Sequence, residues 1–591
     1  MQRLLILLIL TIASGLQAQS ALFLLIPPIT SLNGMGEVGV GLSYNDMGAV
    51  YYNPANGFND KIGLSTSASQ MEANWLPGLI DDMAITHDQL GVSYRATRFP
   101  IQINIQEYEN YLDAGEQTYT DANGNILGTF NTFFRSNATT LAAKYYGSIW
   151  KLPVELSYGF AEKRVVQELT SADVVGNTNG HAENTLYDRG LLVAFPLKTL
   201  SQNNIKIDLK PSFGMSTLNI GDSVIFNDPA QADPMPTSVR AGIGLAASIS
   251  INDSWTILEF RGGRAAIDLL HIPRTSSDQP IEYQSGLGDI DIMKHIIKSE
   301  ASDPVEVSRG YEFTFLEAFT IRSGGRIDLD GRIDLNESGY SYHSSGVLNL
   351  LYSVTHLKPI DAINRHLEVS YDYADWTTGS SSHPLEGTEF ETWNITIKDI
   401  LGIPATLQGR PAQEPIKLSE TFNLVMGANY SLPLLTKGQD ANDRKHLPGY
   451  TVGIELLLEP VRLGLALTEY DDRYQLGEED DTWSIDIEDR YTQISTYALF
   501  PVTIGEQITL TGGPQFQYPL SHKSKVFHSE YGQDVDEEYN YGLRAGVELK
   551  LMHRFALRAN YAYWHRDVES VFIEGAKFKS TGIQLEALIT L

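Results

Sequence analysis

The sequence predicts an all-β fold. It is a transmembrane antiparallel β-barrel of about 14 strands behind an N-terminal plug, with about eight further C-terminal strands. Three observations predict it. Apolar residues recur at a spacing of two along most of the chain, as in Val239, Ala241, Ile243, Leu245, Ala247, Ile249 and Ile251. Residues at that spacing share one face of a strand. The residues between them carry full charges or are small, as Arg240, Gly242 and Gly244 are, which suits a wet lumen rather than a dry second sheet. Beyond the first 18 residues there is no apolar stretch long enough to cross a bilayer as a helix.

Residues 1–18 read as a signal peptide. Met1-Gln2-Arg3 is a short basic start, Leu4 to Ile12 is an apolar core, and Leu16-Gln17-Ala18 ends in a small residue. Cleavage is expected after Ala18 and the chain is expected to be exported. There are no cysteines, so disulfides and thiolate metal sites are excluded. The 73 acidic residues against 43 basic ones give a net charge of −30. That balance argues against nucleic acid as a partner, because phosphate binding needs a basic surface.

Residues 19–60 form the expected plug. Gly34, Gly36 and Gly39 spell G-x-G-x-x-G. A dinucleotide site needs a buried strand before such glycines and a helix after them. Here Ile26-Pro27-Pro28 precedes and Asn53-Pro54-Ala55-Asn56-Gly57 follows, and both break strands. Glycine also permits tight turns and close backbone approach, which a segment folded inside a lumen requires. Asn53-Pro54-Ala55 is expected to be a fixed turn or helix start, with Asn as cap and Pro fixing φ.

Residues 61–405 are assigned to the first barrel. Ile101, Ile103 and Ile105 alternate with Gln102, Asn104 and Gln106. Val154, Leu156, Tyr158 and Phe160 alternate with Glu155, Ser157 and Gly159. Ile205, Ile207 and Leu209 alternate with Lys206 and Asp208, and Leu367, Val369, Tyr371 and Tyr373 with Glu368, Ser370 and Asp372. A soluble sandwich also alternates. Strand length, charges on the polar face and aromatic residues near strand ends favour the barrel, since closure lets a sheet cross lipid.

Residues 419–591 hold the further strands, ending in Ile583, Leu585, Ala587, Ile589 and Leu591. That last strand resembles the C-terminal insertion signal of bacterial outer-membrane proteins, which usually ends in an aromatic residue. Gln408 to Lys417 contains two prolines and reads as a linker. A second small barrel is preferred over an extension of the first.

No chemistry stands out. There is no nucleophile elbow, H-E-x-x-H or P-loop, so no catalytic residue, metal ligand or cofactor is assigned and the chain does not read as an enzyme. Glu469 to Arg473 with Glu478 to Asp481 reads as a solvated hairpin loop rather than a cation site. Asp328-Leu329-Asp330-Gly331 lacks calcium-loop spacing and reads as a tight turn. His87, His271 and His295 form no ligand pair.

The stretch Gly34-Met35-Gly36 with Asn53-Pro54-Ala55 is similar to the N-terminal hatch of FadL-type outer-membrane proteins, and most like the PorV/PorQ group. The likeness spans residues 20 to about 400. Residues 121–130 and 236–242 fit the same group as a hairpin turn and a strand entry. The PorV likeness implies an integral cell outer-membrane protein that handles or shuttles cargo in type IX protein secretion. Its partners would be outer-membrane lipid, secreted cargo proteins and secretion-system components. The FadL likeness implies transport of small hydrophobic molecules across the outer membrane.

Overall fold

The computed structural model describes residues 21–407 and 422–590, except for residues 60–62, 78–82, 97, 121–122, 124, 170–179, 203–204, 227–231, 252–254, 269–285, 379–382, 436–440, 447–448, 459–460, 478–483, 506, 527–528, 534–539, 553–554 and 568–576. The expected signal peptide, the expected linker and His271 lie outside the described residues. The chain divides into two units, Met1–Pro415 and Ile416–Leu591.

The strands of the first unit are β1 (Gly63–Asn74), β2 (Ala84–Arg95), β3 (Ile101–Thr120), β4 (Ile126–Ile149), β5 (Leu152–Glu168), β6 (His181–Ala194), β7 (Leu197–Gln202), β8 (Ile205–Gly221), β9 (Ser238–Ile251), β10 (Trp255–Asp268), β11 (Glu306–Phe315), β12 (Phe319–Asp328), β13 (Ile333–His343), β14 (Leu367–Thr377) and β15 (Thr388–Ile397). Sequential neighbours pair antiparallel. β1 pairs with β15, Thr66 opposite Ile397, and β6 pairs with β8, Leu191 opposite Met215, while short β7 adds to β8 alone. The result is a closed barrel of 14 strands.

The alternation resolves as a barrel turned inside out relative to a soluble protein. On β3, Ile101, Ile103 and Ile105 are 44%, 44% and 49% exposed, whereas Gln102, Asn104 and Gln106 are 0%, 3% and 1% exposed. The polar residues face a filled lumen and the apolar ones face outward. The same holds for Leu90, Val92 and Tyr94 on β2 and for Trp393, Ile395 and Ile397 on β15, all exposed. Each large apolar side chain gains roughly 1.5–3 kcal/mol on leaving water. A continuous outward belt of them is stable against lipid and unstable in water. Among the described residues no helix is long and apolar enough to cross a membrane, so the strands are the elements built to span.

The two rims differ. At one, β2–β3, β4–β5 and β11–β12 join by short connections. At the other lie residues 222–237 and 269–305, while residues 344–366 form a long insertion at the first rim. Part of the 269–305 connection folds back on the outer wall. Ile290, Ile296 and Val305 bury Val239, Ala241 and Ala266. Those outward positions therefore meet protein instead of lipid. Asp328 to Gly331 is a tight turn between β12 and β13, where the Asp328 carboxylate accepts from the Gly331 amide at 2.9 Å.

The second unit has its own sheet, with β16 (Phe422–Leu435), β17 (Ala441–His446), β18 (Gly449–Leu458), β19 (Val461–Gly477), β20 (Ser484–Ile504), β21 (Ile508–Val526), β22 (Ser529–Gln533), β23 (Asn540–Met552), β24 (Phe555–Asp567) and β25 (Lys577–Thr590). Leaving aside short β17 and β22, eight strands close where β16 meets β25, Leu424 opposite Ile589. Leu543, Val547 and Leu549 point outward and are exposed, while Arg544 and Glu548 point inward and are buried. Eight strands leave a lumen just wide enough for side chains to fill. Here an ionic cluster fills it. Arg558 meets Glu455 at 2.6 Å and Glu586 at 2.9 Å, and Arg544 also pairs with Glu586.

One expectation fails. Glu469 to Arg473 is not a loop. It lies in β19, with Glu469 opposite Thr492 and Arg473 opposite Glu488 of β20. A ladder satisfies the backbone regardless of side-chain charge, so a strand of 17 residues can continue through acidic sequence. Glu478 to Asp481 lies outside the described residues.

Candidate functional site: the plug and the two cavities it separates

Residues 21–58 fold inside the first barrel as short helical turns without strands. Nearly all are buried, and Ile29, Leu32, Met35, Val38, Leu42, Tyr51 and Tyr52 form an apolar cluster of their own. A segment this apolar is stable only when covered.

Asn53-Pro54-Ala55 is a turn and starts no helix. The Asn53 carboxamide oxygen accepts from the Ala55 amide at 3.0 Å. Its nitrogen donates to the carbonyls of Val40 at 2.9 Å and of Leu191, on the barrel wall, at 3.1 Å. Asn56 works alongside it, donating to the Gly39 and Leu42 carbonyls at 2.8 and 2.7 Å. Two buried amides thus tie the end of the plug to its middle, residues 39–42.

The three motif glycines serve close packing. Gly36 has φ +72°, and a Cβ there would overlap the Arg309 backbone of β11. A Cβ on Gly34 would press on the Ser338 carbonyl of β13, and one on Gly39 on the rings and methyls of Leu32 and Tyr52. The Gly36 amide donates to Glu337 at 2.7 Å.

The barrel wall answers with glycines of its own. Across β5 and β6 Gly159 pairs with Gly190. Gly214 pairs with Gly242 across β8 and β9. Gly263 pairs with Gly310, and Gly310 with Gly324, across β10, β11 and β12. A Cβ on Gly159, Gly190, Gly214, Gly310 or Gly324 would collide with Pro54, Asn53, Val40, Met35 or the Met35–Gly36 link of the plug. The plug backbone therefore rests directly on the wall over neighbouring strands.

Charges anchor both ends of this seat. Arg326 pairs with Glu37 of the plug at 3.1 Å. Arg240 is buried with its guanidinium 5.5 Å from the Tyr52 ring centre and 6.0 Å from that of Tyr51, close enough for cation–π attraction. Tyr44 donates to Glu312 at 2.8 Å, and Glu312 also meets Arg261 at 2.8 Å and Arg322 at 2.9 Å. Asp46 accepts from Ser31 at 2.6 Å and from the Gly48 amide at 2.8 Å. Burial, reinforced by the charge of Asp372, raises its pKa above the ordinary carboxylate value.

The plug divides the lumen into two cavities of opposite character. Toward the long-connection rim is a cavity of about 850 Å³, lined by Phe23, Leu25 and Ile26 of the plug and by Trp75, Phe134 and Trp376, with Asp233, Asp303, Glu306, Arg326, Asp328 and Asp330 as its charged residues. Toward the other rim is a cavity of about 630 Å³ lined by Asp46, Glu259, Arg261, Arg322, Asp372 and Lys398. His87 and His295 are buried apart from each other. His87 bonds Asn110 in the lumen wall, and His295 takes the Asp291 amide at 2.9 Å in the 286–305 segment. Among the described residues no group of three or more His, Asp and Glu side chains could hold a metal ion.

Sequence reasoning found the plug and its turn. It missed Trp75 and Trp376, whose rings, 6.0 Å apart, join the β1–β2 connection to β14. It also missed the wall glycines, though their inward place in alternating strands was a usable signal.

No protein-family model matches the chain, and no curated protein matches it. Among solved structures, neisserial surface protein A is 11% identical, covering 29% of this chain and 97% of its own, at a TM-score of 0.22. Ail of Yersinia pestis is 14% identical over 29% of this chain and 97% of its own, at 0.20. A mutant of the ferric enterobactin receptor PfeA from Pseudomonas aeruginosa is 10% identical over 89% and 81%, at 0.22. Scores this low carry no argument about function. The closed barrels and their outward apolar faces stand on their own geometry.

Proposed function

We propose that the protein is an integral outer-membrane protein whose plugged barrel binds and passes small hydrophobic molecules. One observation carries the reading. An apolar cavity of about 850 Å³ lies on the long-connection side of the plug, and plug residues Phe23, Leu25, Ile26 and Pro27 form part of its wall. That volume suits a small-molecule ligand. The Trp75 and Trp376 rings supply area for apolar contact, and the lining carboxylates Asp233, Asp303, Glu306, Asp328 and Asp330, with Arg326 already held by Glu37, favour a neutral ligand over an anionic one. Because the plug is both floor and lining, occupancy and plug position are coupled.

Titration of the purified protein with N-phenyl-1-naphthylamine tests this. Binding should be saturable and should be lost in Leu25→Asp and Trp75→Asp, with the heat-modifiable migration of a folded barrel retained. Undiminished binding in both variants would refute the cavity as the site. Cargo handling in type IX secretion rests on the resemblance of the N-terminal stretch alone. Its test is whether cargo proteins still leave a strain lacking the gene.

A further inference from the structure

Between β13 and β14, at the short-connection rim, the chain forms two helices, Ser344–Thr355 and Lys358–His366. Their polarity is reversed relative to a helix on a water-soluble protein. Ser345, Asn349, Asp361, Asn364 and Arg365 turn inward and line the polar cavity. Asn364 donates to Asn349 at 2.6 Å, and Asp361 holds Arg365 at 2.8 Å. The outward face is apolar except at the joint, where His356 and Lys358 are exposed. Val347, Leu351 and Ile363 are 48%, 46% and 49% exposed, and Leu357 at the joint is 54% exposed. Val347 and Leu351 stand four apart, so they share one stripe of the first helix.

What covers that stripe is indicated by its neighbours. Tyr342 just before the hairpin and Leu367 just after it are outward residues of β13 and β14, and both are exposed. Leu367 lies opposite Ile397 in the ladder, and Ile397 continues upward into Ile395 and Trp393 of the outward belt. The apolar belt therefore reaches the base of the hairpin on both sides. Phe99 and Trp150 are exposed in the β2–β3 and β4–β5 connections of the same rim, as aromatic residues at a membrane boundary are.

We propose that the 344–366 hairpin lies in the bilayer interface, with Val347, Leu351 and Ile363 in the lipid and its polar side closing the lumen mouth. An amphipathic helix with a wide apolar stripe settles at that depth. The ligand is lipid, and the inference rests on the membrane reading of the belt. It gives the hairpin a role as an anchor, because lipid contact on one face fixes the polar residues that line the cavity on the other.

The chain has no cysteine, so single cysteines can carry a bimane label in the full-length protein reconstituted in phosphatidylcholine vesicles. Labels at Val347→Cys, Leu351→Cys and Ile363→Cys are compared with one in the belt, Leu141→Cys, and one in a solvated turn, Asp330→Cys. The hairpin labels should be quenched by nitroxide-bearing lipid and lose quenching by aqueous iodide, as Leu141→Cys does. Iodide quenching like that of Asp330→Cys, with Leu141→Cys still lipid-quenched, would overturn the proposal and leave the membrane reading standing. Protection from both quenchers would also overturn it, by showing a protein cover. Iodide quenching of Leu141→Cys itself would overturn the membrane reading.

Discussion

Gly190 on β6 faces Asn53 of the plug so closely that a Cβ on the glycine would overlap the carboxamide oxygen. That oxygen already accepts the Ala55 amide, so the turn cannot yield without losing a bond. A side chain at this wall position must therefore displace the plug or distort the strand. Overpacking of this kind costs about 1–3 kcal/mol. Gly190→Val, and Gly159→Val beneath Pro54, should unseat the plug and raise single-channel conductance in planar bilayers. Wild-type conductance in both variants would show that the plug does not rest on these glycines.

Asn53→Ala removes two donated bonds and one accepted bond, all inside the lumen. The carbonyls of Val40 and Leu191 lose a donor there. An unsatisfied buried group costs about 1–3 kcal/mol. The plug should become susceptible to protease near residue 53 while the barrel stays resistant, and limited proteolysis reads this directly. Pro54→Ala removes no hydrogen bond of the turn and should change the cleavage rate far less.

Much of this architecture was readable because membrane strands declare both faces locally. Ile101, Ile103 and Ile105 against Gln102, Asn104 and Gln106 needs no partner to be understood. The plug seat was different. Gly159, Gly190 and Gly310 look like weak points in strands when taken locally, and gain their meaning only from Pro54, Asn53 and Met35, more than 100 residues away in sequence. Of the helices at 344–366, the second carried a signal, Pro359 and Asp361 in its first turn, and the first did not. His343 precedes the first without any side-chain cap bond, and the stripe of Val347 and Leu351 is short. Glu469 to Arg473 reads as loop from its charge, yet pairing with β20 decides its state.

Arg326 joins Glu37 of the plug at 3.1 Å and stands 3.9 Å from Glu306 of the wall. Removing the cation leaves carboxylates buried together, and breaking such a pair costs about 3–5 kcal/mol. Arg326→Ala should lower the temperature at which the barrel loses its heat-modifiable migration. Arg326→Ala with Glu37→Gln should recover part of that loss, since fewer buried charges then lack a partner. Equal transition temperatures in wild type and the single variant would show that the pair does not hold the plug.

The second barrel makes a sharper electrostatic case. Arg558 lies between Glu455 at 2.6 Å and Glu586 at 2.9 Å, with every side chain of the trio wholly buried. Its guanidinium also reaches Tyr497, whose hydroxyl donates to Glu455 at 3.3 Å. Arg558→Met keeps the bulk but leaves two facing carboxylates with less cation, so about 3–5 kcal/mol should be lost. Adding Glu455→Gln removes one of the two facing carboxylates, while Glu586 keeps Arg544 and Arg462 keeps Glu548, and should restore part of the loss. Hydrogen exchange of the full-length protein, followed by mass spectrometry over β24 and β25, measures both. Faster exchange in Arg558→Met and partial recovery of protection in Arg558→Met with Glu455→Gln are expected. Equal protection in Arg558→Met would show that the cluster fills the lumen without stabilising it.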